Sequence, residues 1–355
     1  MHLLCAISGH GLGHLAQTAP VLNALREMLP ELRLTLWTSL PGAPLKQRIQ
    51  SPFELRQEGA DVGLCMHNAM HVDIPASQRA YLDFHAAWDA RITQESAWLK
   101  RDRVDGVICN AAYLPLAAAH DAGIPGVGFS SLNWHDICQP YLGNTPSMAS
   151  VFAQIRSAYA TARTFYGLTP GLPLPEFCRS QLMPPVAGRG LAKAADIRAA
   201  LNRPAQARLV LVGFGGVAYA AASNLPVLPD VVWLTPEPAA TERTDIQPIA
   251  QLDMPFLDIL ASADALITKV GYGSYVEAAA HGIPVLYLNR PDWPESAWLN
   301  TWLHQHASAC GISEAAFNTA GIQRALLQLW ASPSMPEVQT FNVLAAATLL
   351  DALRN

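Results

Sequence analysis

A doubly wound α/β fold in two domains is what this sequence predicts, on three observations. Short apolar runs of strand length alternate with helix-patterned segments, the grammar of parallel βαβ units. The composition, 51% hydrophobic and 14% charged over 355 residues, suits strands buried on both faces and leaves room for two cores. The alternation also breaks once, at Thr169-Pro-Gly-Leu-Pro-Leu-Pro-Glu176 and Pro184-Pro185, and then restarts. That proline cluster reads as a hinge.

The elements follow in order. Leu3–Ile7 is a continuous apolar run ended by glycine, hence a buried strand, and a Gly-rich turn leads into a helix over 15–29. Leu32–Trp37 is the next strand, and 76–100 has the spacing of one long helix. Val104–Cys109 and Ile124–Phe129 are strands, with Ala112–Ala122 helical between them. Beyond the hinge, Arg208–Val212, Val231–Leu234, Ala265–Thr268 and Val285–Leu288 are strands separated by helices, and 337–353 is helical. The expected domains are 1–168 and 191–336, joined by 169–190 and followed by a last helix over 337–355. Two such sheets facing each other put their strand-to-helix turns on one crevice, where ligands bind in open α/β folds.

A net charge of −5 argues against a bulk electrostatic grip on nucleic acid. The six cysteines show no C-x-x-C pair and no metal-ligand spacing, which points to a reducing, cytoplasmic setting. The start MHLLCAISGHG has no basic region and breaks at Gly9, so no signal peptide is expected. The charge-free stretch Leu209 to Pro229 is broken by three Gly and two Pro, and no transmembrane span is expected. Peripheral membrane contact and the oligomeric state are left open.

Two turns carry chemistry. Ser8-Gly-His-Gly-Leu-Gly-His14 follows the first strand and opens a helix, where glycines admit a ligand to free backbone N–H groups. Its spacing is not that of a dinucleotide-binding fingerprint, and no acidic residue ends the next strand for a ribose. Two histidines inside the turn are the unusual feature: either His14 is a base or the pair braces the turn, with His10 the weaker candidate. In the second half, Lys269-Val-Gly-Tyr-Gly-Ser274-Tyr-Val-Glu277 runs from a strand end into a helix. Ser274 and Glu277 have the spacing of a capping box. Lys269, Gly271 and Gly273 converge on the positive end of a helix dipole and suit a diphosphate, and Glu277 suits a ribose hydroxyl. Asn289-Arg-Pro-Asp292-Trp-Pro-Glu295 leaves the next strand, where Asp292 and Glu295 can take sugar hydroxyls or merely edge a surface loop. His67-x-x-x-His71 has helical metal spacing among loop signals, and no zinc is expected there.

Lys269–Glu277 with Gly282-Ile-Pro284 resembles the donor motif of GT-B glycosyltransferases, a group that includes plant UDP-sugar transferases and the lipid II N-acetylglucosaminyltransferase. Gly13-His14 is similar to that group's N-terminal Gly-His. A narrower resemblance, to the glycosyltransferase-like N-terminal region of L-arabinokinases, rests on SGHGLGH at 8–14, IQSP at 49–52, DAGIPGVGFSSLNWHDI at 121–137, FGG at 214–216 and KVGYGSYVEA at 269–278. The resemblance implies two Rossmann-like domains, the GT-B fold, with the last helix packing back on the first domain. It implies an inverting transfer from a nucleotide-diphosphate sugar, a UDP-sugar foremost, to an acceptor hydroxyl, and the lack of a D-x-D triplet adds the expectation of metal independence. His14 would be the base, and Gly13, Gly215, Gly216, Lys269, Gly271, Gly273, Ser274, Glu277, Asp292 and Glu295 would hold the donor. No cofactor and no metal are expected, and no D-x-D triplet occurs.

The sequence departs from the pattern at two places. Lys269 stands where plant enzymes have His. Asn110 stands nearest the position of the Asp that orients the catalytic His, with Asp136 or His135 as candidates to act instead. Arabinokinase activity resides in a following kinase domain, whose phosphate loop this sequence lacks, so sugar-kinase activity is not expected. A sugar-nucleotide-binding regulator and a GT-B epimerase remain the alternatives. Trp134, Tyr141 and Trp88 can stack on an acceptor, and Tyr272 or Trp233 on a base, with core packing equally open for each.

Overall fold

The computed structural model describes residues 1–216, 225–236 and 243–355. The chain divides into two compact units. The first comprises Met1–His67, His71–Val186 and Thr340–Asn355; the second comprises Asn68–Met70 and Ala187–Gln339.

The first unit runs β1 (His2–Ile7), α1 (Gly13–Met28), β2 (Arg33–Trp37), α2 (Gly42–Arg48), β3 (Glu54–Arg56), α3 (Ile74–His85), α4 (Trp88–Arg101), β4 (Gly106–Asn110), α5 (Leu114–Ala122), β5 (Gly126–Ser130), α6 (Trp134–Leu142), α7 (Ala149–Ala160), β6 (Phe165–Leu168) and β7 (Ser180–Met183). These strands pair in the order β3-β2-β1-β4-β5-β6-β7, every pair parallel. β1, β4 and β5 are buried throughout, as continuous apolar runs demand when helices cover both faces.

Two segments differ from the sequence expectation. The long helix over 76–100 is two helices, α3 and α4, parted at Ala86-Ala87. Most of the proline-rich segment expected as a hinge belongs to the first unit, which runs to Val186, and its residues 180–183 form β7, paired with β6 from Phe165↔Ser180 to Leu168↔Met183. Prolines on either side leave a four-residue edge strand untouched.

The second unit continues with α8 (Ala194–Ala200), β8 (Arg208–Val212), β9 (Val231–Thr235), β10 (Ile246–Pro248), α9 (Phe256–Ala261), β11 (Ala265–Lys269), α10 (Tyr272–Ala280), β12 (Val285–Leu288), α11 (Ser296–His306), β13 (Ala309–Ile312) and α12 (Thr319–Ala331). Its parallel sheet has the order β10-β9-β8-β11-β12-β13. Val210, Val212, Trp233, Ile267, Leu286 and Leu326 are among the residues of its core. The last helix, α13 (Asn342–Arg354), packs in the first unit against α1, β4 and β5. Arg163 Nη1 there donates to the carbonyls of Ala352 (3.1 Å) and Leu353 (2.9 Å).

In each sheet the strand order reverses once, between β1 and β4 and between β8 and β11. Such reversals open a gap at the carboxyl ends of the strands, because the flanking connections leave in opposite directions. Both motif turns fall on these gaps.

Candidate active site

In the first unit, His14 lies on the first turn of α1 and Asn110 ends β4, so the strand reversal brings them together across 96 residues of sequence. Donors with no choice of role fix their roles in turn. The Ser131 backbone N–H points at Gln17 Oε1 (3.4 Å), and the Ser130 hydroxyl donates to the same oxygen (3.2 Å). Gln17 therefore turns its NH2 group to Ser131 Oγ (3.0 Å), while its Oε1 accepts from Asn110 Nδ2 (3.0 Å). Asn110 Oδ1 is left facing His14 Nδ1 at 2.7 Å, which assigns the proton to Nδ1 and the lone pair to Nε2. Burial pushes the His14 imidazolium down to about 4, against the smaller, opposing effect of the Asn110 bond. His14 is thus neutral at pH 7 with Nε2 as an acceptor, the state a general base needs.

The network rests on a tight turn. A methyl group on Gly171 would stand 2.5 Å from the Ser131 carbonyl oxygen and equally near that of Leu168. Gly171→Ala is expected to displace Ser131 and to destabilise the first unit by about 1–3 kcal/mol, as read by urea denaturation. Asn110→Asp is expected to raise the His14 pKa by about one unit or more, because a carboxylate favours the imidazolium, as histidine NMR titration would show.

A third group, which the sequence reading passed over, is Asp61, in the loop after β3. Its Oδ2 accepts from Trp134 Nε1 at 2.8 Å, and Ser8 at the end of β1 also bonds it. The Trp134 ring lies 5.2 Å from that of His10 and 5.9 Å from that of His14, so one indole links all three. Burial drives the Asp61 carboxyl up to about 6 despite both bonds. Gly63 and Leu64 of the same loop close over His10, whose Nδ1 is 3.4 Å from the Leu64 nitrogen.

Asp136 is placed otherwise. Its Oδ1 takes the His135 Nδ1 bond at 2.7 Å and its Oδ2 that of Asn133 Nδ2 at 2.8 Å, while its N–H is capped by Asn133 Oδ1. Asp136 and His135 thus brace the start of α6, while His14 Nδ1 faces Asn110. Burial tends to raise the Asp136 carboxyl, but the His135 and Asn133 bonds outweigh it and hold it low. Trp134, Trp88, Trp233 and Tyr272 are all buried, as core packing requires. His67 and His71 lie in a loop, and no group of three or more potential metal ligands occurs among the described residues.

In the second unit, Lys269 ends β11 and the Phe214-Gly215-Gly216 turn follows β8, on opposite sides of the strand reversal. Both glycines have positive φ (69° and 80°), a conformation that side chains oppose. A methyl on Gly215 would sit 3.9 Å from Lys269 Nζ, so the ammonium lies over this turn. Burial pulls Lys269 down to about 8, helped by the charge of Arg290 and opposed by that of Glu295. α10 starts at Tyr272 with Gly271 as its N-cap and no side-chain cap. Ser274 is therefore inside the first turn rather than capping it, a correction to the capping-box expectation. Gly273 and Glu277 are buried on the same helix, Glu277 at 2% exposure. Position 13 has open space where a side chain would begin, and one at 271 would meet only the Lys269 carbonyl oxygen, at 4.0 Å. On the loop after β12, Asp292 is exposed, whereas Glu295 is buried and accepts from Trp293 Nε1 at 3.1 Å.

Gln17, Ser131, Asp61 and Arg290 are the site residues sequence reasoning missed. Gln17 had a signal: a polar residue three places after His14, among apolar neighbours on one helix.

No family model matches the chain. It is 27% identical over 321 residues to the L-arabinokinase of Arabidopsis thaliana, covering 88% of this chain and 30% of the relative's length. Among solved structures, it is similar to the glycotransferase of kitacinnamycin (18% identity, TM-score 0.61, covering 99% of this chain and 94% of that one). It is also similar to a Polygonum tinctorium UDP-glucosyltransferase capable of glucosylating indoxyl (14% identity, TM-score 0.61, 100% and 98%). A third likeness is to the Phytolacca americana protein solved with UDP-2-fluoro-glucose and pterostilbene (13% identity, TM-score 0.57, 99% and 93%). With its two parallel-sheet units, the chain has the fold of the GT-B glycosyltransferases.

Proposed function

We propose that this protein is a glycosyltransferase that moves a sugar from a nucleotide-diphosphate sugar, a UDP-sugar, to an acceptor hydroxyl with inversion. The observation that carries the reading is the His14–Asn110–Gln17 network, which presents a neutral, buried imidazole with its Nε2 lone pair at a strand reversal. In the reaction His14 Nε2 takes the acceptor's hydroxyl proton, and the acceptor oxygen bonds to the anomeric carbon. The bond from that carbon to the diphosphate breaks, and the nucleoside diphosphate leaves with the electron pair. Lys269, the Gly215-Gly216 turn and the uncapped first turn of α10 supply positive charge for the departing diphosphate. This set and the absence of a D-x-D triplet support transfer without a metal. Glu277 and Ser274 serve the ribose and diphosphate, and Asp292 with Glu295 the sugar end, by their place in the donor motif.

The test is UDP release from UDP-glucose and UDP-N-acetylglucosamine with and without added acceptor alcohols. Acceptor-dependent release with matching glycoside formation is expected; the same donors left intact across a broad acceptor panel would sink the reading. A second reading, a sugar-nucleotide-binding regulator, is favoured by one observation: Asn110 stabilises an imidazolium less than a carboxylate does. UDP binding without turnover under any acceptor would select it.

A further inference from the structure

The loop after β12 carries a second cation. Arg290 lies two residues beyond Leu288, which pairs in register with Lys269. The two cationic residues therefore leave neighbouring parallel strands at the same carboxyl edge of the sheet. Arg290 is only 2% exposed, and its guanidinium carbon stands 4.3 Å from the centroid of the Trp293 ring. The Arg290 charge is felt at the Lys269 ammonium, where Glu295 opposes it. Glu295 is itself 4% exposed and held by Trp293 Nε1. Two cationic groups taken out of water beside the Glu295 carboxylate are costly, and a guanidinium cannot escape by losing its proton. An anion of more than one charge suits two neighbouring cationic residues, and the positive-φ turn at Gly215-Gly216 lies under the same ammonium.

We propose that Arg290 is a diphosphate-binding residue, sharing the ligand with Lys269 and the Gly215-Gly216 turn, with Glu295 between them as a counter-charge. The inference rests on reading the second unit as the nucleotide-sugar site. It has a consequence in proton linkage. Lys269 is near half-protonated at pH 8, its protonated form opposed by burial and Arg290 and favoured by Glu295. A bound diphosphate favours the ammonium, so binding at pH 8 takes up a fraction of a proton and weakens as pH rises further.

The experiment is isothermal titration of the full chain with UDP, uridine and inorganic pyrophosphate at pH 8, in two buffers of different protonation enthalpy. UDP is expected to bind the native chain with net proton uptake. Arg290→Gln is expected to weaken UDP and pyrophosphate by about tenfold to a hundredfold, the worth of one charged hydrogen bond, and to leave uridine unchanged. It should also shrink the proton uptake in part, since losing its cationic neighbour raises the protonated fraction of Lys269 while burial still opposes it. Arg290→Lys keeps the charge and is expected to recover part of the loss, which guards against a folding defect in the glutamine variant. Equal loss for UDP and uridine, or unchanged UDP affinity and uptake in Arg290→Gln, would overturn the proposal. Arg290-dependent binding of pyrophosphate without any binding of UDP would keep the anion site and overturn the nucleotide reading; binding of neither overturns both.

Discussion

Replacing His14 by alanine is expected to cut sugar transfer by about a thousandfold, the scale of a lost general base, while leaving UDP affinity within about twofold. The two effects separate because the proposed base lies in the first unit and the proposed diphosphate residues in the second. Alanine also strips Asn110 Oδ1 of its buried donor, at about 1–3 kcal/mol of stability, so turnover is compared at a temperature where both proteins are folded. A companion variant tests the tautomer argument. Gln17→Leu leaves the imidazole in place but removes the partner that orients Asn110, and turnover is expected to fall by about tenfold or more. Steady-state rates with UDP-glucose and calorimetry with UDP give both numbers. Unchanged turnover in His14→Ala removes His14 from the mechanism.

The second large effect is on stability. Asp61 has a folded pKa near 6, above that of an unfolded aspartate, so the folded state holds its proton more tightly. Its contribution is fully present below about pH 4 and is lost as pH rises through 6. Above that, the ionised carboxylate costs on the order of 2 kcal/mol, allowing for its partly exposed edge. Asp61→Asn keeps an acceptor for Trp134 and Ser8 but never ionises. It is expected to stabilise the first unit by about that amount at pH 7.5 and to change little at pH 4. Urea midpoints at the two pH values measure it, and a loss at pH 7.5 would refute the sign. His14 has the opposite linkage: its folded pKa lies below the usual histidine range, so its contribution is present above pH 6.5 and lost as pH falls toward 4. The native chain sets the two slopes against each other, and Asp61→Asn exposes the histidine slope alone. A charge that costs stability at neutral pH, placed beside the proposed base, is what a functional site retains.

Which parts of this were legible follows from the range of the forces involved. Buried strands such as Leu3–Ile7 and Val285–Leu288 announce themselves because a strand covered on both faces must be apolar along its whole length. β3, with its exposed Glu54 and Leu55, and the edge strand β7 carry no such mark. The glycine turn and the Lys269–Glu277 segment are legible because a tight strand-to-helix turn constrains consecutive residues.

By itself, then, the sequence determined two α/β units and the position of the two glycine-containing turns, and singled out His14 and Lys269 as the proposed base and cation. Only the tertiary structure decided what those groups are. Strand order set Asn110 against His14, and Gln17 and Ser131 then fixed its tautomer. A loop brought Asp61 to the same indole, and parallel register put Arg290 beside Lys269. Protonation state and charge balance depend on neighbours tens of residues away and on burial, and neither is written in the order of residues along a chain.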